Sequence, residues 1–100
     1  MTVHNVKESD ATLRIATDWE SPGEVLTLRL CERYGRPHFD VTPGSTISVE
    51  VVAWLVALNV RVLNVAGNAE RTSPDIEAFA ATFLGDVFHR LATDVIVRHV

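Results

Sequence analysis

Short apolar runs alternate along this chain with longer segments of helical period. Three short segments predict strands: ATLRIA (residues 11–16), the segment starting at about Pro37, and VRVLNV (60–65). Residues 24–35, 46–59 and about 73–91 predict helices, because their apolar side chains recur every three to four positions. Strict alternation of strand and helix predicts a parallel sheet with crossover helices on its faces.

The two ends of the chain extend this pattern. Residues 1–9 predict a short helix or a loose arm, and VIVRHV (95–100) resembles a further strand. We therefore predict an α/β fold: a short, three-layer, Rossmann-like parallel sheet of three to four strands, with helices on both faces. The length of 100 residues suits a single domain, and we interpret it as a truncated Rossmann-like one over 1–100.

Each predicted helix has an apolar face. In the first, the stripe comprises Leu26, Leu30 and Tyr34, with Leu28 and Cys31 beside it. The second starts after a cap at Ser45 or Thr46, and its β-branched residues keep a strand as an alternative. Its broad face comprises Val49, Val52, Ala53, Val56 and Ala57. The third is expected to point Ile76, Phe79, Ala80, Phe83, Val87 and Leu91 inward.

Composition narrows the class of protein. Apolar residues make up 47% of the chain and charged residues 22%, which is typical of a packed globular protein. A net charge of -4 argues against general nucleic-acid binding. The sequence shows no secretory signal and no run of apolar residues long enough for a membrane span, so we expect a cytoplasmic protein. The single cysteine, Cys31, suits a small buried position.

Candidate chemistry lies in the loops that follow the predicted strands, because open parallel sheets bind ligands beyond the carboxyl ends of their strands. These loops contain Gly23, Gly44 and Gly67, and the helix starts beside them suit an anion such as phosphate. The alternative is that the glycines only make turns. Neither the GxGxxG fingerprint nor the Walker pattern is present.

Other polar residues give weaker indications. Asp18 and Glu20 suit an acid–base pair or a magnesium site, or simply a solvated loop. Trp19 suits either stacking on a ligand ring or covering the edge of the core. The histidines show no metal-binding spacing, and we expect them at the surface or at element ends: His4, His38, His89 and His99.

Three segments carry a family resemblance. VRVLNVAGNAERTSPDI resembles the C-terminal signature of the putative molybdenum carrier family. These are small bacterial Rossmann-like proteins of the SLOG type, related to the Lonely Guy and DprA nucleotide-binding group. NVKESDATLRIA and SPGEVLTLRLCERYGRPHFDV resemble upstream family segments in the same order, so the resemblance spans roughly residues 3–90.

The chain also departs from that family. Members begin with a strand and a glycine-rich loop that bind phosphate, and this half is missing here. Glu24 stands at a helix start where the family has small residues, and Ala69 replaces an arginine. A carboxylate there repels an incoming anion, and the lost arginine removes its partner. The loss of the first half is expected to expose a sheet edge, covered either by VIVRHV or by a second chain.

The resemblance implies three functions. We favour a small binding or interaction domain, homodimeric and non-catalytic. The first alternative is a working carrier of a nucleotide or oxyanion, of the molybdenum-cofactor type. Its ligand-binding residues would be Gly23, Thr27, Asn64, Gly67, Asn68 and Ser73. The second is a nucleotide-processing enzyme of the Lonely Guy type. The sequence predicts no catalytic or metal-binding residue, identifies no cofactor and predicts neither nucleic-acid nor membrane partners.

Overall fold

The computed structural model describes residues 2–92 and 95–99. Its helices are α1 (Thr2–Lys7), α2 (Pro22–Arg33), α3 (Ser48–Ala57) and α4 (Ile76–Arg90). Its strands are β1 (Ala11–Ile15), β2 (His38–Val41), β3 (Val62–Gly67) and β4 (Ile96–His99). The predicted alternation is confirmed, residues 2–7 form a helix, and the last segment is a strand. Val100 lies outside the described residues.

The four strands form one parallel sheet in the order β2-β1-β3-β4. The predicted Rossmann-like α/β architecture is therefore confirmed. β4 pairs with β3 from Val62↔Ile96 to Val65↔His99, so the C-terminal segment covers the outer edge of β3. Asp10 fixes the start of β3, since its carboxylate accepts hydrogen bonds from the backbone N–H groups of Arg61 and Val62, both at 2.8 Å.

The two faces of the sheet differ in polarity. On the face that packs against α3 and α4, apolar strand residues join helix residues in the main core, which includes Leu13, Ile15, Leu63, Val65, Val51, Leu55, Phe83 and Val87. The opposite face presents Thr12, Arg14 and Asn64, all buried under α1 and α2. A small apolar cluster of Val6, Leu30 and Cys31 lies on that side. Burial raises the pKa of the Cys31 thiol, in agreement with the expected buried cysteine.

The apolar stripe predicted for the first helix is partly wrong. Leu30 is buried, but Leu26 is 46% exposed, and Glu24 and Thr27 turn inward instead. The sheet face beneath α2 is polar, so polar side chains and backbone groups of the helix find partners there. Arg14 Nη1, for example, donates to the Glu24 carbonyl at 3.0 Å.

The broad apolar face predicted for the second helix points mostly outward, although Val52 packs against the core as predicted. Val51 and Leu55 are the buried residues of α3, whereas Val49 is 53% exposed and Val56 65% exposed. α3 is apolar on nearly every side, so hydrophobic period alone does not decide which side packs on the sheet. In the third helix, Ile76, Phe83 and Val87 are buried, and Phe79, Ala80 and Leu91 pack against the core, as expected.

The three predicted helix starts are each wrong by two or three residues, and α2 begins at Pro22 rather than at residue 24. α3 begins at Ser48 after Ile47, whose N–H donates to the Glu50 carboxylate at 3.3 Å, while the Thr46 hydroxyl accepts from Thr42 N–H. α4 begins at Ile76 rather than Ser73, because Asp75 takes a left-handed conformation with φ 71°. No helix among the described residues is both long and apolar enough to cross a membrane.

Candidate functional site

The strand order places a topological switch point between β1 and β3. From β1 the chain crosses to β2 on one side, and from β3 it crosses to β4 on the other. The loops that leave the carboxyl ends of β1 and β3 therefore diverge, and open α/β sheets bind ligands in the crevice between such loops. Here these loops are residues 16–21 and 68–75.

Gly67 lets the two strands meet at this point. Its backbone lies so close to the carbonyl of Ile15 that a Cβ atom would overlap the Ile15 oxygen. The next residue, Asn68, donates its backbone N–H to that same oxygen at 3.2 Å. The glycine is thus required by backbone packing between β1 and β3, independently of any ligand.

The side chain of Asn68 fills the crevice. Its Oδ1 accepts hydrogen bonds from the backbone N–H groups of Thr17 and Asp18, both at 2.9 Å. Its Nδ2 donates to the Asp18 carbonyl at 3.0 Å, to Ser21 Oγ at 3.2 Å and to Glu24 Oε2 at 3.5 Å. One amide therefore satisfies the two N–H groups that an anion would otherwise meet.

The start of α4 is occupied in the same way. The Glu70 carboxylate accepts from the backbone N–H of Asp75 at 2.6 Å and of Glu77 at 3.1 Å. Thr17 Oγ1 donates to the buried Ser73 Oγ at 2.6 Å, which ties the two loops together. A negative side chain already lies at this helix N-terminus, where an anionic ligand would gain most.

An ion pair between buried Arg14 and the partly exposed Asp40 supports the loop after β1. Arg14, only 4% exposed, donates from Nε and Nη2 to the two carboxylate oxygens of Asp40, both at 2.7 Å. Its guanidinium lies 4.9 Å from the centre of the Trp19 ring. Trp19 thus stacks on a protein cation. Burial opposes ionisation of Asp40, but Arg14 and His38 outweigh it and lower the pKa of that carboxyl.

Glu24 is a buried carboxyl group in the first turn of α2. It is 2% exposed, and its Oε1 has no hydrogen-bond partner. Burial raises the pKa of Glu24, and the nearby carboxylates of Asp40 and Asp18 raise it further, while Arg14 opposes the change. The charged form is therefore costly in the folded state.

Replacing Glu24 with glutamine is expected to stabilise the fold at pH 7 and to flatten its pH dependence. The folded-state pKa of Glu24 is raised above the unfolded value. The stability that this carboxyl contributes to the wild-type fold is therefore fully present below about pH 4.5, and it is lost as pH rises through the folded-state pKa. Urea unfolding of both proteins between pH 4 and 8 measures the difference. Glu32→Gln, on the exposed side of the same helix, is the control. A constant difference across this range would contradict the expectation.

The residues predicted as a ligand site fall into two groups. Gly67, Asn68 and Ser73 come together at the switch point. Gly23 and Thr27 lie along α2, where Thr27 Oγ1 donates to the Gly23 carbonyl at 2.9 Å. Asn64 lies lower on β3, fully buried, where its Nδ2 donates to Thr12 Oγ1 at 3.2 Å. The structure therefore does not bring all six together.

Sequence reasoning missed Arg14, Asp40 and Thr17. A signal for the first two exists: each stands as a lone charge within a short predicted strand, and the register pairs Arg14 with Asp40. Opposite charges at paired positions on one face are expected to meet. Thr17 carries no such signal, because its contact with Ser73 depends on how two loops close.

An open cavity of about 440 Å³ lies beside the switch point, at the carboxyl end of β3. It is lined by Ile15, Val65, Ala66, Gly67, Asn68, Ala69, Ile76, Glu77 and Ala80. Glu77 is the charged residue of this lining, and no basic side chain contributes to it. In the part of the chain that the structure describes, no three His, Cys, Asp or Glu residues are grouped so as to hold a metal ion.

Fold and site together define a doubly wound, Rossmann-like domain with a ligand-type crevice at its switch point. Residues 1–88 match the model of the circularly permutated YpsA SLOG family, cpYpsA, and the chain belongs to this family. No curated protein matches the chain significantly.

A solved structure agrees with this assignment. The chain is similar to a putative molybdenum carrier protein from Syntrophus aciditrophicus SB, whose crystal structure was determined at 1.45 Å resolution. The TM-score is 0.74 and the sequence identity 30%, over 87% of this chain and 57% of the other. The family resemblance is thereby confirmed, and this chain spans little more than half the length of that relative.

Proposed function

We propose that this chain is a non-catalytic binding and interaction module, in which the ancestral ligand crevice is closed by the protein's own side chains. The observation that carries the proposal is the hydrogen bonding of Asn68, which occupies the backbone N–H groups of Thr17 and Asp18. A ligand would have to displace this amide and meet the carboxyl groups of Glu24 and Glu70.

Charge supports the same conclusion. Arg14 supports the loop after β1, and Asp40 already holds its guanidinium through two hydrogen bonds. Arg71 is the basic residue of the loop after β3, and its side chain is exposed. Ala69 offers no side-chain donor. A phosphate or molybdate ion in the crevice would meet the Glu70 carboxylate and backbone N–H groups already bonded to Asn68 and Glu70, which disfavours an oxyanion carrier.

Ligand screening tests the proposal. We expect no rise in Tm when the protein is mixed with adenosine monophosphate, ATP, phosphate or molybdate at about 10 mM. A ligand present at about 100 times its Kd would add roughly 2.7 kcal/mol, enough to raise Tm by about 10 °C or more. A saturable rise of that size, or release of adenine from adenosine monophosphate, would overturn the proposal in favour of a carrier or an enzyme.

Asn68→Ala tests the closing contact directly. The substitution leaves two backbone N–H groups and one carbonyl without their partner, so the free energy of unfolding should fall by about 1–2 kcal/mol. Glu20→Ala on the facing loop, residues 16–21, removes an exposed side chain and should change the free energy of unfolding by less than about 0.5 kcal/mol. Equal stabilities for the two variants would show that Asn68 does not hold the crevice closed.

The cavity beside β3 favours a second candidate function, the binding of a small uncharged or cationic molecule. Its volume is within the range of ligand pockets, and its lining is apolar apart from Asn68 and Glu77. Neutral and cationic compounds in the same screen would reveal such binding. Ala80→Phe, which fills the cavity, should then abolish the shift in Tm.

A further inference from the structure

The outer side of the α3–α4 layer is largely apolar, and most of its side chains are small. On α3 it presents Val49, Ala53 and Val56, and on α4 it presents Ala78, Ala81, Thr82 and Gly85, all of them exposed. We refer to these seven residues as the α3–α4 surface. Exposure reaches 53% at Val49 and 65% at Val56, although valine is usually buried.

The two helices are fixed relative to each other, so this surface is preorganised. Asp86 on α4 accepts hydrogen bonds from the Ser48 hydroxyl of α3 and from Arg90 Nε, the latter at 3.0 Å. Val52 and Phe83 pack beneath into the core. A rigid surface loses little conformational entropy on association.

Gly85 is not explained by packing within the described chain. It lies in the interior of the 15-residue helix α4, where glycine is less favourable than alanine. A Cβ added at this position would meet nothing within 4 Å, so no neighbour of the same chain requires a glycine. The close approach of a helix from another chain would require a glycine at this position.

The charges at the ends of the helices make this surface complementary to an inverted copy of itself. α3 and α4 run in the same direction, because each returns from the end of one parallel strand to the start of the next. Their first turns carry Glu50 and Glu77, and the last turn of α4 carries His89 and Arg90. A second copy stacked in parallel would place acid against acid. A two-fold axis perpendicular to the helices instead brings the acidic start of α4 toward the basic end of its partner.

We propose that two copies of this chain associate through the α3–α4 surface, with helices antiparallel across a two-fold axis near Thr82. Val49 and Val56 of one copy then pack on the α3 of the other, and Gly85 permits close contact between the two α4 helices. The proposal rests on the proposed interaction function and gives it a partner, a second copy of the same chain. It places contact on the helical layer rather than on the edge of the sheet.

Light scattering after size-exclusion chromatography tests the surface. The wild-type protein should show about twice the chain mass of 11.0 kDa. Val56→Glu and Gly85→Leu should each raise the dimer dissociation constant on the order of 100-fold, while circular dichroism shows an intact fold. Ile96→Glu, which alters an exposed residue of the edge strand β4, is the matched control and should leave the dimer unchanged. A monomeric wild type, or a dimer lost only in Ile96→Glu, would overturn the proposal.

Cross-linking tests the orientation. Thr82→Cys should form an intermolecular disulfide with its own symmetry mate on mild oxidation, because residues at a two-fold axis face themselves. The native Cys31 is 1% exposed and does not compete. Glu8→Cys, exposed on the opposite layer, should stay monomeric in a non-reducing gel. Equal cross-linking of both variants would contradict the antiparallel dimer.

The two proposals fail separately. A ligand that stabilises the dimeric protein would overturn the closed crevice and leave the α3–α4 interface in place. A monomer without ligand affinity would overturn the interface and leave the crevice closed.

Discussion

Arg14→Met is expected to lower the free energy of unfolding by about 3 kcal/mol. The substitution removes the buried partner of Asp40, the donor to the Glu24 carbonyl and the cation that stacks on Trp19. Breaking a buried ion pair from one side leaves a desolvated charge and costs about 3–5 kcal/mol. The Asp40 side chain is 38% exposed, so we expect a loss of stability at the lower end of this range. Urea unfolding at pH 7, followed by tryptophan fluorescence and circular dichroism, measures the loss.

Two further variants distinguish the effect of breaking the ion pair from the effect of removing any arginine side chain. Arg29→Met, exposed on α2, should change stability by less than about 0.5 kcal/mol. The double variant Arg14→Met, Asp40→Leu should be more stable than Arg14→Met alone, because the Asp40 carboxylate is no longer left without its arginine partner. If Arg14→Met proved as stable as Arg29→Met, the pair would not hold the loop after β1.

Gly67→Ala should destabilise the fold by about 3 kcal/mol or more. The added Cβ overlaps the carbonyl of Ile15, and a backbone atom at the end of an inner strand cannot move aside as a flexible side chain does. β1 and β3 would have to separate where they diverge, and this is the upper range of overpacking costs. Thermal and urea unfolding measure the effect, and amide exchange of Asn68 and Thr17 shows whether the crevice opens.

Gly23→Ala is the control for this substitution. A Cβ atom at position 23 would meet nothing within 4 Å. The stability of this variant should therefore be unchanged, or slightly increased because the unfolded chain is stiffer. Equal effects at Gly67 and Gly23 would mean that the glycine at the end of β3 is not required by packing. It would then have to be explained by a ligand.

Some features followed directly from the order of residues. Apolar runs of five or six residues, separated by helical segments and turn signals, predict the parallel α/β sheet, because strand and helix periods differ and alternation permits few topologies. VRVLNVAGNAERTSPDI carries the family resemblance by itself. The near-continuous apolar character of β3 predicted a strand buried on both faces of a parallel sheet, and Leu63, Asn64, Val65 and Ala66 are buried.

The candidate site was only partly visible in the sequence. Gly67, Asn68 and Ser73 lie close together in the sequence, at the end of β3 and in the loop that follows it, so their proximity follows from local sequence. The role of Asn68 does not, since its partners Thr17 and Asp18 lie about fifty positions earlier in the chain. Glu24 was recognised as unfavourable for an anion, but its burial depends on the polar face of the sheet beneath α2.

The sequence by itself determined the class of fold, the family and the absence of a strong phosphate-binding motif. These depend on local period and on short runs of residues. Only the tertiary structure decided which side of α3 faces the core, because that helix is apolar all round and the sheet selects Val51 and Leu55. It also decided that Asn68 closes the crevice and that Gly85 has open space around it, since both depend on distances between residues far apart in the chain.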